Sequence, residues 1–181
     1  VNVIELVTDL FKGNKLENEM PLHIGEVMNL WTFLTATENF MNSELVALNT
    51  VENPQLRRKM LELIEGYHKP IIIDIENLLL SEGVELPKKP VEKPQLKMSV
   101  PAGGKMTDEE VANLVMFNLV WAINFCGRGL TEAVRQDVAT LFVKAIVQKA
   151  GFSVTLKQLL MEKGWLTYPP PYRNLGMETK S

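Results

Sequence analysis

Three side chains in the first half of the chain have the types and spacing of metal ligands. Glu65 and His68 stand three apart in Glu65-Gly66-Tyr67-His68. On an α-helix that spacing puts a carboxylate and an imidazole on one face, one turn apart, as in carboxylate-bridged di-iron bundles. Glu38 interrupts an otherwise apolar series upstream. If the two helices reverse direction between Val51 and Pro54, residues at one height have numbers summing to about 105. Glu38 is then level with Tyr67 and close to both Glu65 and His68. A glutamate on one helix and Glu-x-x-His on its neighbour form half of a dinuclear carboxylate site.

The second half of the chain does not supply the other half. No acid or histidine lies between Glu110 and Glu132, or between Asp137 and Glu162. At the matching height the third helix offers Asn118 and the fourth something near Gln148 or Phe152. An amide carries no charge to offset two metal ions, so a complete di-iron centre is excluded by composition. Two readings stay open. One is a mononuclear site with Glu38, Glu65 and His68 as ligands, suited to iron, manganese or zinc. The other is a buried polar cluster in which Glu38 is hydrogen-bonded by His68 or Tyr67.

Positioning these groups requires helices, and the apolar periodicity predicts four of them. Ile24, Val27, Trp31, Leu34, Met41, Leu45 and Leu48 alternate spacings of three and four, with Glu38 in the vacant position. Asn53 as N-cap and Pro54 at the first helical position start a second helix, whose seam reads Leu61, Ile64, His68, Ile71, Ile75 and Leu78, and Gly83 stops it. Pro70 lies inside that helix and predicts a kink near Gly66–Pro70. Residues 84–106 are rich in proline and glycine and can reach roughly 70 Å in extended form, against about 45 Å for the helix before them. They can therefore return the chain to the start of the second helix, a long crossover between two hairpins.

Thr107-Asp108-Glu109-Glu110 is a capping box for the third helix. Gly127 and Gly129 could end it, but a helix running to about Ala133 is preferred. A turn at Arg135-Gln136 then precedes a fourth helix over Asp137–Lys163, with Gly164 as the stop. Val138, Leu141, Ala145, Phe152, Leu156 and Leu159 stay in phase across Gly151. The chain thus divides into a lead-in (1–21) with a short amphipathic helix at 3–12, the bundle (22–164), and a proline-rich tail (165–181). Tyr168-Pro169-Pro170-Pro171-Tyr172 resembles a ligand of proline-binding modules; packing of this tail on its own bundle is preferred.

The net charge of −3 over 181 residues gives no basic footprint for nucleic acid. No uninterrupted apolar run reaches the length of a membrane span, and Val1–Leu6 lacks the basic start of a signal peptide. An intracellular location is expected. Cys126 is the sole cysteine, so no intrachain disulfide can form, and a small buried thiol is expected. His23 is expected to pair with Glu82 at the end of the bundle. Ile71–Ile73 and Leu78–Leu80, with Leu30, Phe33 and Phe40, exceed what one bundle seam can bury. A homodimer or larger self-assembly is the expectation.

Gly25-Glu26-Val27-Met28-Asn29-Leu30-Trp31, His68, Gly83-Val84-Glu85-Leu86-Pro87, and Leu159-Leu160-Met161-Glu162-Lys163-Gly164 leading to Pro169-Pro170-Pro171-Tyr172 resemble the ferritin-like domain-of-unknown-function 3231 family of Bacillus-type spore formers, related to spore coat protein F. The resemblance covers about residues 22–173 and implies a four-helix bundle associated with sporulation or the coat, in the mother-cell cytoplasm or the coat itself, with other coat proteins as further partners. It supplies no catalytic residue. The reading is a structural or interaction protein, leaning away from an enzyme; the alternative is a metal-binding or redox bundle.

Overall fold

The computed structural model describes residues 20–91, 101–170 and Tyr172. The expected helix at 3–12 lies outside these residues, as do parts of the crossover and of the tail. The first long helix, α1, spans Ile24–Ala47. A second rod is built from α2 (Pro54–Leu63), a π-helical turn (Ile64–His68) and α3 (Lys69–Ser81). After the crossover come α4 (Asp108–Glu132) and α5 (Gln136–Lys163). Four helical rods therefore pack as two hairpins.

Local chemistry sets the ends. Asn53 Oδ1 accepts from the amides of Gln55 and Leu56, with Pro54 following it. Thr107 and Glu110 form the reciprocal capping box that opens α4. Gly83 (φ +72°) and Gly164 (φ +70°) adopt the left-handed conformation that ends α3 and α5. The third helix does run through Gly127 and Gly129, because Gly129 lets the buried Phe142 ring lie against its backbone: a Cβ there would fall 2.6 Å from the ring.

Pro70 acts one turn earlier than a simple kink would. It has no amide to give the Gly66 carbonyl, and just ahead of it the ladder switches so that the Lys69 amide reaches Ile64 O, five residues back. Such a bulge adds a residue to one turn and rotates the side chains that follow.

The crossover begins parallel helices side by side, as its length predicts. Asp108 at the start of α4 accepts from the Glu52 and Asn53 amides at the start of α2, both at 2.9 Å. Part of its path lies against α1 and α3, where Trp31 Nε1 donates to Glu85 O and Lys89 pairs with Glu76. At the opposite end, buried Arg135 binds Glu82, Asp137 and the Met20 carbonyl, while Glu26 accepts from the amides of Val134 and Arg135. Glu82 is therefore Arg135's partner. His23 instead caps α1, its Nδ1 accepting from Gly25 and Glu26.

The buried seam of α1 corrects the predicted one by about one position. Leu30, Phe33, Leu34, Thr37 and Glu44 are inside, whereas Ile24 is 86% exposed and Trp31 lies at the surface under the crossover. Polar residues on the true seam disguise it. Ile71, Ile72, Ile75 and Leu79 are buried, while Ile73 and Leu80 stay exposed. The tail is corrected too: Trp165 and Leu166 pack on the core, but Tyr168, Pro169, Pro170 and Tyr172 are exposed. By length and composition alone α4 and α5 could each cross a membrane, a property that core helices of bundles share. In this fold they hold Asn118 and Lys149 inside the bundle.

Candidate functional site

Two apolar clusters make up the core. One gathers Leu48, Leu56, Met60, Leu63, Val115, Leu119, Phe152 and Leu156; the other gathers Leu30, Phe33, Ile71, Ile75, Ala122, Cys126, Phe142 and Ala145. On three rods a buried polar residue falls between one cluster and the other; on α4 it lies just before the switch, with Leu119 still in the first cluster and Ala122 in the second. These residues are Glu44 on α1, His68 on the π turn, Asn118 on α4 and Lys149 on α5. All four rods contribute, and none of the side chains is more than 5% exposed.

Their contacts join them in a line from Lys149 through His68 and Glu44 to Asn118. His68 Nε2 lies 3.1 Å from Glu44 Oε2, and His68 Nδ1 lies 3.3 Å from Lys149 Nζ. Asn118 Nδ2 donates to Glu44 Oε1 at 3.3 Å. An ammonium can only donate, so Nδ1 is the acceptor and the proton sits on Nε2, which donates to Glu44. Lys149 also lies over the Phe33 ring, 5.9 Å from its centroid. The set is neutral overall: one carboxylate, one ammonium, a neutral imidazole and an amide.

The electrostatics agree with that assignment. Burial, reinforced by the Lys149 charge, holds the His68 imidazole below its ordinary value despite the opposing Glu44 carboxylate. Burial pushes Lys149 down to about 8, with Cys126 and Glu44 acting in the opposite direction. Burial also pushes the Cys126 thiol up to about 12. These are the shifts expected of polar groups held away from water.

Of the predicted ligands only His68 belongs to this layer. Glu65 is a surface residue, its carboxylate paired with Lys69 at 2.7 and 2.8 Å. The π turn that begins just before it separates its face from that of His68. Glu38 is buried, but beside Glu76 and Lys89 on the crossover side, with no hydrogen bond to His68. Among the described residues no three His, Cys, Asp or Glu side chains gather as a metal ligand set.

The residues that the sequence reading missed are Glu44 and Lys149. Side chains on a helix tilt toward its N-terminus. In antiparallel neighbours the tilts run in opposite directions, so His68 meets a residue nearer the reversal than backbone height implies: Glu44, not Glu38. The signal for Lys149 was the vacancy between Ala145 and Phe152 in an otherwise regular apolar series.

A long-crossover bundle with one polar residue from each rod at its centre has the architecture of ferritin-like proteins. The chain belongs to the family described as "Protein of unknown function (DUF3231)", whose profile matches residues 10–175. It is 28% identical over 162 residues to the uncharacterized protein YvdQ of Bacillus subtilis (strain 168), covering 89% of this chain and 94% of that one. Its fold matches the crystal structure of a putative spore coat protein, BH2358 of Bacillus halodurans C-125, with a TM-score of 0.83 and 27% identity over 87% of this chain and 99% of that one. A two-domain protein of Anabaena variabilis with DJ-1/ThiJ/PfpI-like and ferritin-like domains shares the fold at a TM-score of 0.62 and 15% identity, over 94% of this chain and 44% of that one.

Ferritin-like di-iron bundles hold their metals with four glutamates and two histidines projecting inward. The central layer does not fit that group. It offers one carboxylate and one imidazole, and the second imidazole nitrogen already faces the Lys149 ammonium. A cation bound at Nδ1 would meet that positive charge.

Proposed function

We propose that this chain is a structural, interaction-type protein of the spore-coat kind, built on a ferritin-like bundle from which the oxidase chemistry is missing. The observation that carries this reading is Lys149. Its ammonium supplies, from within the chain, the positive charge that metal ions supply in a di-iron bundle. The resulting layer is neutral and buried, so the bundle centre acts as a specificity element that fixes helix register. The likeness to the Bacillus halodurans protein supports the coat assignment. Self-association is part of the proposal: Phe117 and Val120 on α4, and Val147, Val154 and Met161 on α5, are all more than half exposed.

A fluorescent fusion produced in sporulating Bacillus subtilis tests the reading. The expected result is accumulation in the mother cell followed by a ring at the forespore surface, with purified protein sedimenting as a dimer or larger species. A diffuse signal indifferent to sporulation would overturn the coat assignment. Stoichiometric iron or manganese with oxygen consumption lost on His68→Ala would establish the redox reading in its place, and stoichiometric zinc lost on His68→Ala a metal-binding one.

A further inference from the structure

Away from the central layer lies another buried carboxylate, one of whose oxygens lacks a hydrogen-bond partner. Glu38 is 4% exposed, and its Oε2 is enclosed without a hydrogen bond. It lines a pocket of about 370 Å³ between α1, α3 and the crossover, together with Met41, Asn42, Leu45, Ile72, Lys89 and Pro90. Buried carboxylate oxygens are ordinarily paired, and an orphan is a costly exception. We propose that this pocket binds a small primary amine with an apolar body, the ammonium on Glu38 and the hydrocarbon against Met41, Leu45, Ile72 and Pro90.

The charge of the walls selects the class. Lys89 is paired with Glu76 at 2.6 Å and acts on Glu38 only through its field, so two carboxylates share one ammonium and the pocket keeps an excess of negative charge. A cation gains from that charge, an anion is repelled by it, and a neutral alcohol gains only a hydrogen bond. The terminal torsion of a glutamate is broad and soft, so a small rotation presents the carboxylate to the pocket. Burial holds the Glu38 carboxyl above its ordinary value, and Glu76 acts in the same direction against Lys89. An ammonium on Glu38 would stabilise the ionised form, which couples binding to proton release. The apolar walls supply the remaining affinity, as in small-molecule sites generally.

The inference stands apart from the coat assignment, since a scaffold and a non-scaffold could carry the same pocket. Titration of the full chain with n-hexylamine, 1-hexanol and hexanoate at pH 7.5 tests it, read by calorimetry and by shifts of the Ile72 methyl resonances. Hexylamine is expected to bind saturably with the Ile72 methyls responding, hexanol about tenfold more weakly, and hexanoate not measurably. In Glu38→Gln, checked for an unchanged circular dichroism spectrum, the preference for amine over alcohol should collapse toward unity. No saturable binding of hexylamine, equal binding of amine and alcohol in the parent chain, shifts confined to other residues, or a preference unchanged in Glu38→Gln would each overturn it.

Discussion

Glu44 and His68, 24 residues apart in sequence, meet through a 3.1 Å contact between Oε2 and Nε2 in the middle of the bundle, with Lys149 on the far side of the imidazole. The imidazole is a neutral bridge between opposite charges. Neither charge is near water, so each depends on the other.

That dependence predicts strong coupling. Glu44→Gln leaves a buried ammonium with no counter-charge and should cost about 3–5 kcal/mol of folding free energy. Lys149→Met alone strands the carboxylate and should be costly for the same reason. The double variant Glu44→Gln, Lys149→Met removes both charges and should be more stable than the sum of the single effects by well over 1 kcal/mol. Urea denaturation of the four proteins measures this. Additive effects would mean that the two charges are not partners.

The same layer makes stability depend on pH in two windows. Lys149 releases its proton at about 8 in the folded chain, against 10.5 for the ordinary lysine. Between those values the unfolded state binds more protons, so stability rises with pH there, by up to about 3 kcal/mol. His68 is also held below its ordinary 6.5, so a second rise is expected as pH climbs toward that value. Denaturation of the parent and of Lys149→Met at pH 7.5, 9 and 10.5 isolates the first window. The difference between them should shift in favour of the parent as pH increases.

The helix boundaries were legible because they are written in local chemistry. Asn53-Pro54, the Thr107–Glu110 box, Gly83 and Gly164 each satisfy or end a backbone ladder within a few residues. His68 was legible as an inward imidazole on an apolar seam. Its partners were not, and the reasons differ. Glu44 and Thr37 sit on the buried seam of α1, but their types read as surface, while Ile24 and Trp31 read as core. The tilt of side chains in antiparallel helices moved the meeting point from Glu38 to Glu44. The π turn removed Glu65, because a change of ladder at Lys69 cannot be read from a three-residue spacing. Lys149 is a residue type almost never fully buried without a partner, and that partner, His68, lay 81 residues away in the other hairpin.

Three glycines on α4 and α5 should separate in sign. A methyl group at position 129 would meet three Phe142 ring carbons at 2.6–2.8 Å, and that ring is fully buried. Gly129→Ala should therefore cost about 1–3 kcal/mol through overpacking. At Gly127 and Gly151 a Cβ meets nothing within 4 Å. Alanine there should stabilise the chain by about 0.5–1 kcal/mol through helix propensity. Thermal melts that rank the three variants otherwise would show that the α4–α5 contact is not as close as described.

Cys126 reports on whether the bundle opens. Its thiol is buried in the cluster around Phe142 and Ala145, and burial pushes it up to about 12. The thiolate is the nucleophile, so near neutral pH both its scarcity and its enclosure protect it. Iodoacetamide should leave the native chain unmodified over hours and alkylate it promptly in 6 M urea, as mass spectrometry would record. Labelling in intermediate urea should follow global unfolding, because Cys126 lies in the same cluster as Leu30, Phe33 and Ile75 from the first hairpin. Labelling well below the unfolding midpoint would instead mean that the two hairpins separate before either one melts. The Glu44–Asn118 and His68–Lys149 contacts, which cross from one hairpin to the other, would then break in that opening.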